Sequence, residues 1–129
     1  MVLCMKQEDI EIFHKARAQL NVTIAEISEL SKKKPNDAVN NFKLKYINKI
    51  LVDVNRLLGD TLKPFSDFTV FDEDDLPTNS DVSLILAQYE SSLYDFFLKN
   101  TDNLGGIQRY WLINGKPTEQ EAHIRRSKK

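Results

Sequence analysis

"AVNNFKLKYINKILVDVNRLLG", residues 38–59, is the stretch of sequence that decides the fold. On a helix of 3.6 residues per turn its apolar residues share one broad face, and lysine and arginine side chains occupy the opposite side. The residues of the apolar face are Val39, Tyr46, Ile47, Ile50, Val54, Leu57 and Leu58. Gly59 stands where a helix commonly ends in a left-handed residue. The stretch therefore predicts an amphipathic helix from about Ala38 to Leu58.

Two further segments have the same helical spacing, one on each side of this helix. The first runs from about Glu8 to Leu30 and ends before Pro35, which lacks a backbone donor and disfavours helical geometry in the residue before it. The second begins at Asn79 or Ser80 and runs to about Leu98. The spaced apolar residues are Phe13, Ala16, Leu20, Ile24 and Ile27 in the first segment, and Val82, Leu86, Tyr89, Leu93 and Phe97 in the second.

Residues 60–78 join the second and third predicted helices and are too apolar for a loop surrounded by solvent. We expect this connection to pack over one end of the helices. The predicted fold is all-α: one domain of residues 1–129, a three-helix up-down-up bundle with the apolar connection and a less regular C-terminal segment. The chain ends, residues 1–6 and 125–129, are expected to be flexible.

The C-terminal segment leaves two interpretations open. "IQRYWLINGKPT", residues 107–118, is either a short strand that enters a turn at Asn114-Gly115 or a helical turn that Gly115 ends. Thr118 and Glu121 have the spacing of a capping box, which favours a short terminal helix over "EQEAHIRRSKK", residues 119–129, but strand, helix and disordered tail all stay open for residues 103–129.

Length and composition bound the class of protein. A chain of 129 residues with 41% hydrophobic and 29% charged residues is typical of one soluble globular domain. Its single cysteine, Cys4, cannot form an intramolecular disulfide, which favours a reducing, cytoplasmic setting. No window reaches 18 apolar residues, so the sequence predicts no membrane span.

Charge is unevenly distributed, although the formal net charge is only −1. Residues 64–98 contain eight acidic and no basic residues, whereas residues 99–129 contain seven basic and three acidic ones. The acidic middle contains four consecutive carboxylates, Asp72, Glu73, Asp74 and Asp75. They lack the glycine and the twelfth-position glutamate of an EF-hand loop, so no metal site is predicted. We interpret them as a solvated acidic surface near a helix start, with docking of a basic partner as the alternative.

A basic surface is predicted on the second helix. Lys45, Lys49 and Arg56 lie along one edge, opposite the apolar face. Such an edge could contact a phosphate backbone, and Tyr110 and Trp111 beside Arg109 could stack on bases. These residues motivate the alternative hypothesis, a nucleic-acid-binding accessory subunit. The acidic middle and an isoelectric point near 6.1 argue against it.

The third helix carries a second, weaker apolar strip, formed by Ala87, Tyr94 and Leu98. Together with Tyr110 and Trp111, residue types that dominate binding hot spots, this strip predicts an interface. The function expected from the sequence is therefore non-enzymatic: protein–protein contact, by self-association into a homo-oligomer or as the small subunit of an assembly. No catalytic residue and no cofactor are predicted, and a metal-dependent enzyme is a minor alternative.

Overall fold

The computed structural model describes residues 5–123, so Cys4, residues 1–4 and residues 124–129, including the basic end of the predicted terminal helix, lie outside the described part. Its elements, in chain order, are α1 (Gln7–Lys33), α2 (Asn41–Leu62), a 3-10 helix (Glu73–Asp75), α3 (Asn79–Lys99), β1 (Thr101–Asp102), β2 (Arg109–Ile113) and β3 (Lys116–Ala122).

The all-α prediction is wrong, because the described residues are 61% helical and also contain a three-stranded antiparallel sheet (13%). The strands lie in the order β1-β2-β3. Asn114 and Gly115 form the two-residue turn between β2 and β3, with φ values of 52° and 76°. Two successive positive φ values are those of the hairpin turn that Asn-Gly favours. Of the two interpretations of residues 107–118, the strand is the one the structure contains.

The predicted terminal helix is also wrong within the described residues, because residues 116–122 form β3. The Thr118 hydroxyl donates to the Trp111 carbonyl oxygen at 2.8 Å and accepts from the Gln120 amide at 3.2 Å. A capping box contributes only about 1 kcal/mol, and a helix here would have little apolar surface to bury. Pairing with β2 therefore decides the conformation of this segment.

The three helices run up, down and down, so the up-down-up prediction is wrong. The Val39 amide donates to the Pro77 carbonyl oxygen, and the Asn79 amide donates to that of Asp37, both at 2.9 Å. The start of α3 is thereby held beside the start of α2, and the two helices are parallel. The 16 residues between α2 and α3 can span about 50 Å, whereas α2 is only about 33 Å long, so a return along the whole helix is feasible.

The apolar connection follows the groove between α2 and α3 rather than covering one end. The Asn48 side chain bonds the Phe71 backbone twice, accepting from its amide and donating to its carbonyl oxygen, each at 2.9 Å. About two turns further along α2, the side-chain amide of Asn55 donates to the Thr69 carbonyl oxygen at 2.7 Å, and Asn55 Oδ1 accepts from the Tyr89 hydroxyl at 2.7 Å. Two asparagine side chains on one face of α2 therefore make the hydrogen bonds that hold the backbone of the connection against the helix.

The core is a cluster of aliphatic and aromatic side chains between the three helices, and the sheet covers the end of the core where α1 begins and α3 ends. Trp111 on β2 is fully buried, with its ring 5.1 Å from that of Phe13 on α1 and 5.5 Å from that of Phe97 on α3. Further along α1, a buried ion pair between Arg17 and Glu90, at 3.8 Å, links α1 to α3. The hairpin is therefore part of the core and not an appendage.

Candidate interaction surface

An open groove with a largely apolar lining lies between α1 and α2, with a volume of about 380 Å³. Val22 on α1 and Phe42 on α2 stand at its edges and are 71% and 72% exposed. The residues that line it are Val22, Thr23, Glu26, Ile27, Phe42, Lys43, Tyr46, Ile47 and Ile50. A smaller apolar depression continues it along α1 past Ala18 and Gln19. We call this feature the α1/α2 groove.

Aromatic rings and lysines lie together on the α2 side of the groove. The Phe42 and Tyr46 rings are 5.2 Å apart. The Lys49 ammonium lies 4.9 Å from the Tyr46 ring centre and that of Lys45 lies 5.6 Å away, within the range of a cation–π contact. Tyr46, predicted on the apolar face, is 45% exposed. The exposed rings of Phe42 and Tyr46 therefore lie beside the predicted basic surface.

Charged side chains are exposed on both helices that form the groove. The exposed charged residues of α1 from Glu8 to Glu29, other than His14, are Glu8, Glu11, Lys15, Glu26 and Glu29. Those of α2 from residue 41 to residue 58 are Lys45, Lys49 and Arg56, with Lys43 and Asp53 half-buried. An ion pair joins α1 and α2 across the groove, between Lys43 Nζ and Glu26 Oε2 at 2.8 Å. Of these charged side chains only Glu26 and Lys43 line the groove.

The predicted strip on α3 borders a second cleft, of about 340 Å³, against the sheet. Tyr94 is half-buried and Leu98 is 39% exposed, and the fold brings the fully exposed Ile107 beside them. Arg109 fixes this corner by donating to the Thr101 hydroxyl at 2.7 Å and to the Leu98 carbonyl oxygen at 3.3 Å. Ala87, half-buried, lies two turns before Tyr94 on the same helix and is not among the lining residues.

The two aromatic residues predicted as interface anchors differ in position. Tyr110 is half-buried on β2. Trp111 is completely buried, so in this chain it pins the hairpin to α1 and α3 and presents no surface to a partner. An isolated tryptophan in the sequence is compatible with either role, and only its packing separates them.

The acidic surface, Asp72–Asp75, is exposed. Asp72 accepts from the Asp74 amide at 2.9 Å and caps the short 3-10 helix. In the described part of the chain, no three His, Cys, Asp or Glu side chains converge where they could hold a metal ion.

Among the described residues, the pKa values of Tyr89 and His14 are shifted by their surroundings. Burial raises the pKa of Tyr89, and its hydrogen bond to Asn55 offsets part of that rise. Desolvation lowers the pKa of His14, and the neighbouring His123 lowers it further. The His14 ring lies against that of Trp111 at 5.6 Å, although the side chain as a whole stays exposed. Neither group lies in the α1/α2 groove.

Sequence reasoning missed the α1/α2 groove. Val22 and Phe42 lie off the core faces of their helices, and each looks like an isolated surface residue in the sequence. They become one feature only because α1 and α2 pack side by side. The available signal was that two large apolar residues fall outside the predicted core.

Comparison of the chain with protein-family models, with curated proteins and with solved structures finds no match. Among residues 5–123, no helix combines the length and the apolar character needed to cross a membrane.

Proposed function

We propose that this protein is non-enzymatic and acts through protein–protein contact, with the α1/α2 groove as its principal binding surface. One observation carries the proposal: two large apolar residues more than 70% exposed, Val22 and Phe42, stand on either side of an apolar groove. Exposed apolar clusters of this kind mark interaction sites, because leaving them in water gives up the free energy of burial. A cytoplasmic setting is part of the proposal and is supported by the single cysteine.

The cleft of Tyr94, Leu98 and Ile107 supports a second contact on another side of the molecule. It is smaller and more polar than the groove, and Arg109 is held at its corner. A chain with two such surfaces could join two neighbours, as a small subunit of an assembly does. The acidic surface would then steer a basic partner.

Affinity capture from the native cell, with three tagged baits, tests the proposal. Phe42→Asp places a charge in the groove, and Leu84→Asp is its matched control, because Leu84 is 61% exposed on α3. We expect the wild type and Leu84→Asp to retain the same protein and Phe42→Asp to lose it. Equal retention by all three baits would exclude the groove, and a Tyr94→Ala/Leu98→Ala bait tests the cleft in the same way.

Nucleic-acid binding is the second candidate, favoured by the exposed Phe42 and Tyr46 rings beside Lys45 and Lys49. Rings that stack on bases next to cations that contact phosphates are the usual combination in single-strand binding. This candidate predicts an RNA or DNA affinity that falls steeply with salt and that Lys45→Glu/Lys49→Glu abolishes. Fluorescence anisotropy with a labelled oligonucleotide measures it, and no binding at low salt would dismiss it.

A further inference from the structure

We infer that the cleft of Tyr94, Leu98 and Ile107 binds the C-terminal residue of a partner protein, with Arg109 pairing with its terminal carboxylate and the cleft walls holding its apolar side chain. The inference rests on the proposed function, because it names the chemistry of the second contact surface. Three features carry it: an arginine without a carboxylate partner, a lining without acidic residues, and the size of the cleft.

Arg109 is held in a fixed orientation at the edge of the cleft. Its side chain is half-buried, and its Nε donates to the Thr101 hydroxyl at 2.7 Å. Its Nη2 donates to the carbonyl oxygens of Thr101 at 2.9 Å and Leu98 at 3.3 Å. The guanidinium carbon lies 6.0 Å from the centre of the Phe97 ring, within the range of a cation–π contact. A side chain that is already ordered loses little further conformational entropy when it binds a ligand.

The positive charge of Arg109 is not balanced by a carboxylate in the described part of the chain. None of the ion pairs among residues 5–123 includes Arg109, and its Nη1 has no hydrogen-bond partner there. The acceptors of its other nitrogens are uncharged, and the end of α3 contributes only about half a negative charge. A net positive charge therefore remains at the cleft, and the two N–H groups of Nη1 are left for an anion.

The lining of the cleft carries no acidic side chain. It includes two basic residues, Arg109 and His123, and no aspartate or glutamate. His123 Nε2 lies 3.5 Å from Glu121 Oε2, so any charge on His123 is largely balanced within the chain. Asp95 on α3 and Asp102 on β1 are exposed, and neither pairs with Arg109. One unbalanced positive charge matches a carboxylate better than a phosphate, which carries about −1.5 to −2.

The apolar walls and the volume of the cleft fit one terminal residue. Leu98 on α3 and the fully exposed Ile107, on the loop before β2, lie beside the guanidinium in a cleft of about 340 Å³, near the lower end of the range of ligand pockets. In a C-terminal residue the carboxylate and an apolar side chain branch from one carbon, so a single residue reaches both parts of the cleft. An internal aspartate or glutamate would need a second residue to supply the apolar group. Capture of a terminal carboxylate is also an established mode of peptide recognition.

A titration of the full, nitrogen-15-labelled chain with two peptides, followed by two-dimensional NMR, tests the inference. The probe is acetyl-Gly-Ser-Gly-Leu with a free terminal carboxylate, and the control is the same peptide ending in a carboxamide. We expect the free acid to shift the amide signals of Ile107 and Gln108 and the Nε–H signal of Arg109. The carboxamide should bind at least about tenfold more weakly, because it lacks the charge-assisted hydrogen bonds. Equal affinities, or no saturable shift with the free acid at millimolar concentration, would overturn the inference.

Substitutions of Ile107 test the site with little risk to the fold, because this side chain is fully exposed. Ile107→Gln removes an apolar wall, and Ile107→Glu also places a negative charge near the ligand carboxylate. The affinity for the free acid should therefore fall from wild type to Ile107→Gln and again to Ile107→Glu. The matched control is Leu84→Glu, at a position 61% exposed elsewhere on α3, which should bind like wild type. Wild-type affinity in both Ile107 variants would contradict the inference.

Arg109→Gln tests the charge directly. The variant should lose the preference for the free acid over the carboxamide, and a retained preference would refute the role of Arg109. Because Arg109 also bonds the carbonyl oxygens of Leu98 and Thr101, circular dichroism must show that the variant is folded. If it is not, the comparison of Ile107→Glu with Ile107→Gln still decides whether a negative charge is bound at the cleft.

The same measurements separate this inference from the proposed function. If free N-acetyl-leucine binds and the peptide acid does not, the cleft takes a small acid and the inference is overturned. If a protein is captured in a manner that Ile107→Glu abolishes, but a peptide of that protein's own C-terminus does not bind, the inference also falls. In both cases, capture of a protein that Phe42→Asp abolishes leaves the proposed function standing. A chain that binds no peptide and captures no protein through either surface removes both.

Discussion

Asn48→Ala is the substitution that tests most directly how the connection between α2 and α3 is held. Asn48 makes two hydrogen bonds to the Phe71 backbone, each at 2.9 Å, in a partly buried setting. Removing the side chain leaves an amide and a carbonyl oxygen without their partner, at about 1–2 kcal/mol for each group. The free energy of unfolding should therefore fall by roughly 2–4 kcal/mol.

Urea unfolding followed by circular dichroism measures this loss, and native-state hydrogen exchange should show faster exchange of the Phe71 amide. The matched control is Asn41→Ala, an exposed asparagine on the same helix, which should change the free energy of unfolding by less than about 0.5 kcal/mol. If Asn48→Ala is as stable as this control, the connection does not lie along α2. The path of residues 63–78 along α2 would then lose its main support, whereas the hydrogen bonds between the starts of α2 and α3 would be unaffected.

Three further predictions concern single side chains. Tyr89→Phe removes the 2.7 Å hydrogen bond to Asn55 and should cost about 1 kcal/mol in urea unfolding. Because burial raises the folded-state pKa of Tyr89, wild-type stability should fall as the pH rises above the ordinary tyrosine value, and this fall should be weaker in Tyr89→Phe. Because the folded-state pKa of His14 is lowered, its contribution to the free energy of unfolding is complete above the unfolded pKa of 6.5 and is lost as the pH falls through the lower folded pKa. Thermal unfolding of His14→Gln between neutral and mildly acidic pH should therefore show a smaller loss of stability than thermal unfolding of the wild type. Gly115→Ala should destabilise the hairpin by about 1 kcal/mol, because Gly115 has a φ of 76°. A steric clash is not the cause, since an added Cβ meets no atom within 4 Å. Gly106→Ala, at an ordinary φ, is the control in the same unfolding assay.

The three helices were predictable because their signal is local. Apolar residues three or four apart in residues 8–30 and 79–98 become the buried stripes of α1 and α3. Helix ends were less certain: Asn40 caps α2 by accepting from the Lys43 amide, while Ala38 instead forms a bridge to Thr78. Local capping preferences compete with contacts that the local sequence does not contain.

The sheet and the order of the helices were not predictable in the same way. The Asn114-Gly115 turn was visible, but Thr118 and Glu121 also matched a helix start, and only pairing with β2 settles that competition. The length of the 63–78 connection permitted a return over either one end or the full length of α2. Asn48 and Asn55 decide between them through hydrogen bonds to residues 14 to 23 positions away.

The sequence by itself determined the positions of the helices, the apolar character of the connection and the layout of charge, because each depends on neighbours within a few turns. The tertiary structure alone decided that α2 and α3 are parallel, that Trp111 is buried, and that Val22 and Phe42 share one groove. Those three outcomes depend on which residues distant in sequence are brought together by packing, and the free energy of that packing does not appear in any local pattern.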